Sequence, residues 1–306
     1  MIEYDGAVLF VDILGISALT TSEKPLVSAH DFKALAPKCR KVDGNQLFCA
    51  RLLSQFRKNL HECNIEGLKI AQLSDCAFLW SRSESLVVQA AHRIFFENTR
   101  TGILARGGMT FGQIIEPKKT RRSLGHFICG NAVTRAAQLE GAGKGARVFI
   151  DREIGGRPIV GVSPRAFEGM PNPSDYRMID EFIWFSCPKE FSDHSEKMSR
   201  LKELVRLLVS FKSSPKFRWN AASSHGRIHL GATIERLCKA ASELCEEIKV
   251  QPPHFAMQTS ELFQEVYNEE QYSDQEHAKN LVKLERWASQ MFADDRKHSS
   301  AQAPTR

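Results

Sequence analysis

An aspartate stands where an apolar strand pattern least tolerates one. In Ala7-Val8-Leu9-Phe10-Val11-Asp12-Ile13-Leu14-Gly15-Ile16 a carboxylate interrupts a run that otherwise reads as a buried strand. A second, Asp75, falls at the tip of a tight hairpin written as Leu68-Lys69-Ile70-Ala71-Gln72-Leu73-Ser74-Asp75-Cys76-Ala77-Phe78-Leu79-Trp80. A carboxylate in an apolar strand is costly unless its charge is compensated, and a divalent cation compensates it well. Period-two alternation puts Val8, Phe10 and Asp12 on one face of the first strand and Leu9, Val11 and Ile13 on the other. Two such carboxylates make a two-metal phosphoryl-transfer centre a candidate.

The chain that carries them is an ordinary globular one. Its 306 residues, 42% hydrophobic and 25% charged, suffice for one large domain or two modest ones with a real core. No apolar run approaches the length of a membrane span. The start, Met1-Ile2-Glu3-Tyr4-Asp5, lacks the basic opening and cleavage site of a signal peptide. Cysteines 39, 49, 63, 76, 129, 187, 238 and 245 form no CxxC or metal-type spacing, so reduced thiols in a cytoplasmic protein are expected. The net charge of +6 fits an anionic ligand and fits a solvated surface equally well.

Residues 1 to about 188 alternate strand-like and helix-like patterns. Helices are expected over about Gln46 to Cys63 and Glu84 to Asn98, on either side of the hairpin. A strand follows in Ile103-Leu104-Ala105-Arg106-Gly107-Gly108-Met109-Thr110-Phe111-Gly112, with small residues where backbone must pass close to something. A basic loop, Lys118-Lys119-Thr120-Arg121-Arg122, leads to a helix over about Gly130 to Glu140. Arg147-Val148-Phe149-Ile150 and Glu181-Phe182-Ile183-Trp184-Phe185 read as later strands. This order predicts an α+β sandwich with helices on one face of a mainly antiparallel sheet. Residues 189–295 form a helical extension, with helical spacing at Leu201, Leu204, Val205 and Leu208 and at Ile234, Leu237, Ala241, Leu244 and Ile248. A further helix is expected across about Ala278 to Phe292, and 296–306 is a polar tail expected to be disordered.

Several residues bear on chemistry, each with a plainer alternative. Asp12 is either a metal ligand or a cap for the following turn, and Asp75 either a ligand or an ordinary turn residue. Gly15-Ile16 marks a strand-to-helix turn where backbone N–H groups can approach phosphate. Asn131, Thr134, Arg135 and Gln138 fall at i, i+3, i+4 and i+7, one polar stripe with a single charge. Such a stripe is either a solvated face or a surface that hydrogen-bonds ribose or phosphate. Arg106 is either a structural ion-pair partner or a ligand contact. Lys118, Lys119, Arg121 and Arg122 are either a solvated loop or a phosphate clamp.

In this order the pieces resemble the catalytic domain of class III nucleotidyl cyclases, over about residues 5 to 188. Phe10-Val11-Asp12-Ile13-Leu14-Gly15 matches that family's F-x-D-I-x-G strand, and Asp75 its hairpin aspartate. Arg106-Gly107-Gly108-Met109-Thr110-Phe111-Gly112 matches R-x-G-hydrophobic-x-x-G, and Gly130 to Gln138 partly matches G-x-x-V-N-x-A-x-R. Ala71 and Phe127 stand where purine-specific members carry polar base readers, and Thr134 and Gln138 where they carry the transition-state Asn and Arg. These departures, with the helical extension, look like the bacterial pyrimidine cyclases of Pycsar antiphage defence.

The resemblance implies a ferredoxin-like α/β sandwich and two Mg²⁺ or Mn²⁺ ions held by Asp12, Asp75 and the backbone carbonyl of Ile13. It implies a substrate pocket that draws on Gly15, Ile16, Ala71, Arg106, Phe127, Thr134 and Gln138. Arg135 and Asn131 would replace the missing catalytic guanidinium and amide. The site would form at the interface of a head-to-tail homodimer, Asp12 and Asp75 from one subunit and the stripe from the other. UTP is favoured, because no obvious carboxylate is placed to accept from a cytosine amino group. The product, cyclic UMP, would activate a separate effector protein, with no membrane or nucleic acid involved. Rival readings are a CTP, ATP or GTP cyclase of the same fold, and a degenerate domain that binds nucleotide without turnover. A ferredoxin-like nucleic-acid binder would want exposed aromatics on its strands, whereas the Phe residues here sit mostly within apolar runs.

Overall fold

Strand β1 (Ile2–Ile13) is the spine of the N-terminal unit, and Ala7, Val8, Leu9, Val11 and Ile13 along it are all buried. In the computed structural model it pairs antiparallel with β3 (Cys76–Ser81) on one side and β4 (Ala105–Glu116) on the other. β2 (Lys69–Leu73) adds to β3 as the edge. Beyond β4 come β5 (Val148–Ile150), which is parallel to it, then β7 (Met178–Phe182) and β6 (Phe167–Pro171). The seven strands run in the order β2-β3-β1-β4-β5-β7-β6. The structure describes residues 1–38, 40, 44–119, 125–151, 158–172, 176–186, 193–213, 215–221 and 223–247.

Helices α1 (Ile16–Thr21), α2 (Ala29–Leu35) and α3 (Asn45–Glu62) separate β1 from β2, and α4 (Glu84–Arg100) separates β3 from β4. The β1-helix-β2-β3-α4-β4 core in the order 2-3-1-4 is the split βαβ arrangement of ferredoxin-like folds. The expected α+β sandwich with a mainly antiparallel sheet is what the chain forms. Helices cover both faces of it, however, and not one. Neighbouring glycines of β4 show this directly. A Cβ on Gly107 would lie 2.9 Å from the Phe95 ring of α4, and one on Gly108 would lie 2.0 Å from the Ala136 carbonyl oxygen of α5 (Asn131–Glu140). α5 descends onto β4 because Ala132 and Ala136, both fully buried, present no side chain long enough to hold it off.

Two further differences have local causes. The strand expected over Glu181–Phe185 ends at Phe182, and the chain then turns to bury Trp184. The Trp184 indole N–H donates to the Ala146 carbonyl at 2.6 Å, while its own carbonyl meets His92 Nδ1 at 2.6 Å. β6 was not expected, because Phe167-Glu168-Gly169-Met170-Pro171 holds a Gly and a Pro; as an edge strand it pairs with β7 alone.

The chain divides into two compact units, Met1–Glu190 and Phe191–Arg306. In the second, α6 (His194–Ser213) packs on α8 (Ser224–Glu247), with the short α7 (Arg218–Ala221) between them in sequence. Leu201, Leu204, Val205 and Leu208 of α6 and Ile234, Leu237, Ala241 and Leu244 of α8 are buried, as their spacing predicts. Ile248, the expected helix over 278–292 and the tail over 296–306 lie outside the described residues.

Candidate active site

The sheet brings the two aspartates to one end. Asp12 is the cross-strand partner of Cys76, and the Ile13 N–H donates to the Asp75 backbone carbonyl at 3.0 Å. The hairpin tip is thus stitched to the end of β1. Leu73 pairs with Cys76, so the loop is Ser74-Asp75 alone, and Ser74 takes a left-handed φ of 58°. Small polar residues are among those that tolerate such loop geometry. At the exit of β1, Gly15 takes φ 89° and turns the chain into α1, burying Ile16.

The charges at this end do not cancel. Asp12 is half-buried and its carboxyl is pushed from 3.8 up to about 7, first by burial, then by the Glu140 and Asp75 carboxylates; Arg106 opposes the shift. The neighbouring Cys76 thiol is pushed up to about 11 by burial and by Asp12 and Asp75. Glu140, the last residue of α5, is a member of the site that sequence reasoning missed. It forms an ion pair with Arg106, whose guanidinium also donates to the Gly143 carbonyl at 2.8 Å. The cross-strand pairing of Arg106 with Asp12 explains the arrangement: among the described residues, the Arg106 guanidinium opposes the Glu140 and Asp75 carboxylates in their effect on Asp12. The signal in the sequence was Arg106 itself, a charge in a strand that needed an acidic partner.

A hard divalent cation fits this donor set. Desolvated carboxylates that repel one another are relieved by a cation, and Mg²⁺ or Mn²⁺ favours oxygen ligands. Among the described residues no group of three or more His, Cys, Asp or Glu side chains is arranged to hold a metal. A cation here would rest on Asp12, Asp75 and the Ile13 carbonyl, with water and phosphate oxygens completing its shell, the usual habit of Mg²⁺ at phosphate sites.

The α5 stripe is placed differently. Asn131 is exposed, and its Oδ1 accepts the Gln113 backbone N–H at 2.9 Å. Thr134 and Gln138 are exposed, the Thr134 hydroxyl turned back to the Gly130 carbonyl at 3.5 Å. Arg135 is half-buried and forms an ion pair with Asp151, just past β5, on the flank of β4 away from β1. Asp151 also accepts from the buried Thr110 hydroxyl at 3.5 Å. Asp151 is the second residue that sequence reasoning missed. Within one chain, Asp12, Asp75 and Arg106 come together, while Arg135 points elsewhere.

Ala71 packs beside a buried cluster of Val8, Trp80, Ile114, Ala132 and Ala136, together with the half-buried Phe10, Phe78 and Val133. The Phe10 and Phe78 rings lie 4.7 Å apart. Phe127 is 56% exposed, a large apolar ring open to solvent. Of the basic loop, Lys118 and Lys119 are exposed and 120–124 lies outside the described residues.

No protein-family model matches the chain, and no curated protein does. Among solved structures, it is similar to the catalytic core of a rhodopsin-guanylyl cyclase with converted specificity in complex with ATPαS: 15% identity, TM-score 0.39, covering 59% of this chain and 96% of that one. It is also similar to the guanylate cyclase domain of RhGC from Catenaria anguillulae in complex with GTP, at 14% identity and TM-score 0.37, covering 60% and 97%. A third likeness is to the adenylyl cyclase CyaB from P. aeruginosa, at 13% identity and TM-score 0.38, covering 59% and 93%.

Proposed function

We propose that the protein is a class III-type nucleotidyl cyclase that converts UTP to cyclic 3′,5′-UMP and pyrophosphate. The observation that carries this reading is the stitched pair of aspartates, half-buried at one sheet end where, among the described residues, Arg106 is the cation set against the burial and the acidic neighbours that raise the Asp12 pKa. Asp12, Asp75 and the Ile13 carbonyl would hold two Mg²⁺ or Mn²⁺ ions. Such ions supply Lewis acidity towards the ribose 3′-hydroxyl and neutralise charge on the leaving pyrophosphate.

In this reading the ribose 3′-hydroxyl gives its proton to water, its oxygen attacks the α-phosphorus in line, the bond to the bridging oxygen breaks, and pyrophosphate leaves. The transition state is anionic, so positioned donors matter most. Arg135, which pairs with Asp151, supplies a planar guanidinium whose fork of donors suits phosphate oxygens. Asn131, whose Oδ1 is held by the Gln113 N–H, keeps its amide N–H₂ for ribose or phosphate. Because Arg135 points away from its own Asp12, the stripe serves the carboxylates of a second copy in a head-to-tail homodimer. Ala71 and Phe127 offer a purine edge no hydrogen bond, which favours a pyrimidine. By resemblance to the Pycsar cyclases, the product would be a second messenger for a separate effector in antiphage defence.

One observation favours a second reading. Arg135 is committed to an ion pair and Thr134 and Gln138 stand at the other stripe positions, as in a domain that binds nucleotide without turnover. Pyrophosphate release from UTP with Mn²⁺ separates the two. The cyclase reading predicts release that falls at least about a hundredfold in Asp75→Ala protein of unchanged Tm. UTP binding by the wild-type protein with no release would mean a binding module.

A further inference from the structure

On the face of β2 that carries Ala71, the next residue towards the open end of the hairpin is Lys69. Its ammonium contacts Glu116 Oε1 at 2.5 Å and its side chain is 45% exposed. Glu116 itself is buried, and it also accepts from the Trp80 indole N–H at 3.1 Å and from the Tyr4 hydroxyl. Those three donors and the surrounding protein leave the carboxylate closed to a ligand. The ammonium is different: it has three N–H donors and no acceptor, and only one donor is used by Glu116. Beside it lies an apolar floor of Ala71, Phe78 and Phe10, with Trp80 directly opposite Lys69 in the register. An apolar floor with a polar group at its end is the usual form of a site for a flat heterocycle.

We propose that Lys69 is the base-reading residue, selecting uracil through its carbonyl oxygen. This rests on the cyclase reading above and adds the specificity determinant that Ala71 and Phe127 cannot supply. A site that offers donors only accepts uracil, which presents O4. It rejects cytosine, which presents an amino group at the same position. Glu116, which could accept from that amino group, is buried and already engaged, so it holds the ammonium in place and does not read the base. Four steps of strand, about 13 Å, run from Lys69 to Leu73, and Asp75 lies beyond that in the turn. That is farther than a pyrimidine base lies from its own α-phosphate. The Lys69 that reads the base and the aspartates that serve its phosphates therefore belong to different subunits.

The test is kcat/KM for UTP and for CTP in wild-type and Lys69→Met protein. The wild type is expected to prefer UTP, and the variant to lose about tenfold or more of its UTP efficiency with CTP little changed, collapsing the preference. Removing Lys69 strands the Glu116 charge, so Lys69→Met/Glu116→Gln is measured alongside as a variant in which no buried charge is left unpaired. A UTP-to-CTP ratio unchanged within about twofold in both variants, or a wild type that prefers CTP, overturns the assignment of Lys69 and leaves the cyclase reading standing. A wild-type protein that cyclises no nucleotide overturns both.

Discussion

An acid whose folded pKa lies above its ordinary value takes up protons on folding, and Asp12, raised from 3.8 to about 7, is such an acid. Its ionised form destabilises the metal-free fold as pH rises from about 4 towards 7, and the penalty is complete above 7. Asp12→Asn protein is therefore expected to melt higher than wild type at pH 8 in the absence of divalent cations, and level with it near pH 4. Wild-type protein should show a Mn²⁺-induced rise in Tm that grows between pH 5 and pH 8, and the variant should show none. A variant that melts lower at pH 8 would mean that the carboxylate stabilises the fold and that the charge imbalance is not real. Both aspartates were legible in the sequence, because a carboxylate in an apolar strand is conspicuous. Glu140 was not, since it ends an amphipathic helix where a charged residue is ordinary, and only the packing of α5 brings it to Asp12.

Arg135→Ala is expected to lower turnover of UTP by about a hundredfold or more, the usual loss when one transition-state donor is removed. Asp151→Asn, which keeps the shape but releases the guanidinium, should lower kcat by less and leave Tm within a few degrees. Undiminished turnover in Arg135→Ala would remove it from the mechanism.

Between elements, α5 fits closely on β4. A Cβ at Gly108 would meet the Ala136 carbonyl at 2.0 Å and the Glu140 N at 2.5 Å, both backbone atoms that cannot swing aside. Gly108→Ala must lift the helix and is expected to cost about 2 kcal/mol or more. At Gly112 the nearest atom is Asn131 Oδ1 at 2.6 Å, on a side chain that can rotate once its hydrogen bond from the Gln113 N–H is given up, so Gly112→Ala should cost only about 1 kcal/mol. Thermal melts of the two variants check the contrast; equal losses would contradict it. The glycines, the stripe and the alternation of β1 and β4 made these elements readable. The second covered face was not, because Ala132 and Ala136 look the same in sequence whether a helix lies on a sheet or on another helix. β6 lacked any periodic signal, and its place depends on pairing with β7.

At the scale of the whole molecule, the βα order predicted the sandwich, and the buried positions of α6 and α8 follow the 3.6-residue spacing of their sequence. No helix among the described residues is long and apolar enough to cross a membrane. Sequence periodicity does not encode which copy completes a site, and here the direction of Arg135 towards Asp151 supplies the hint. A site shared between subunits predicts complementation. Asp75→Ala and Arg135→Ala proteins, each inactive alone, should recover about a quarter of wild-type activity when co-folded in equal amounts. That figure follows because half the dimers are mixed and each mixed dimer keeps one intact site. No recovery would place both residues of a site on one chain.

The most direct test is to incubate the purified protein with each of ATP, GTP, CTP and UTP in the presence of Mn²⁺ and to resolve the products by mass, with Asp75→Ala protein alongside. Cyclic UMP from UTP in the wild-type reaction, lost in the variant, is the expected result. A cyclic purine nucleotide as the main product would contradict the reading of Ala71 and Phe127. The absence of a cyclic product from all four nucleotides would contradict the cyclase itself.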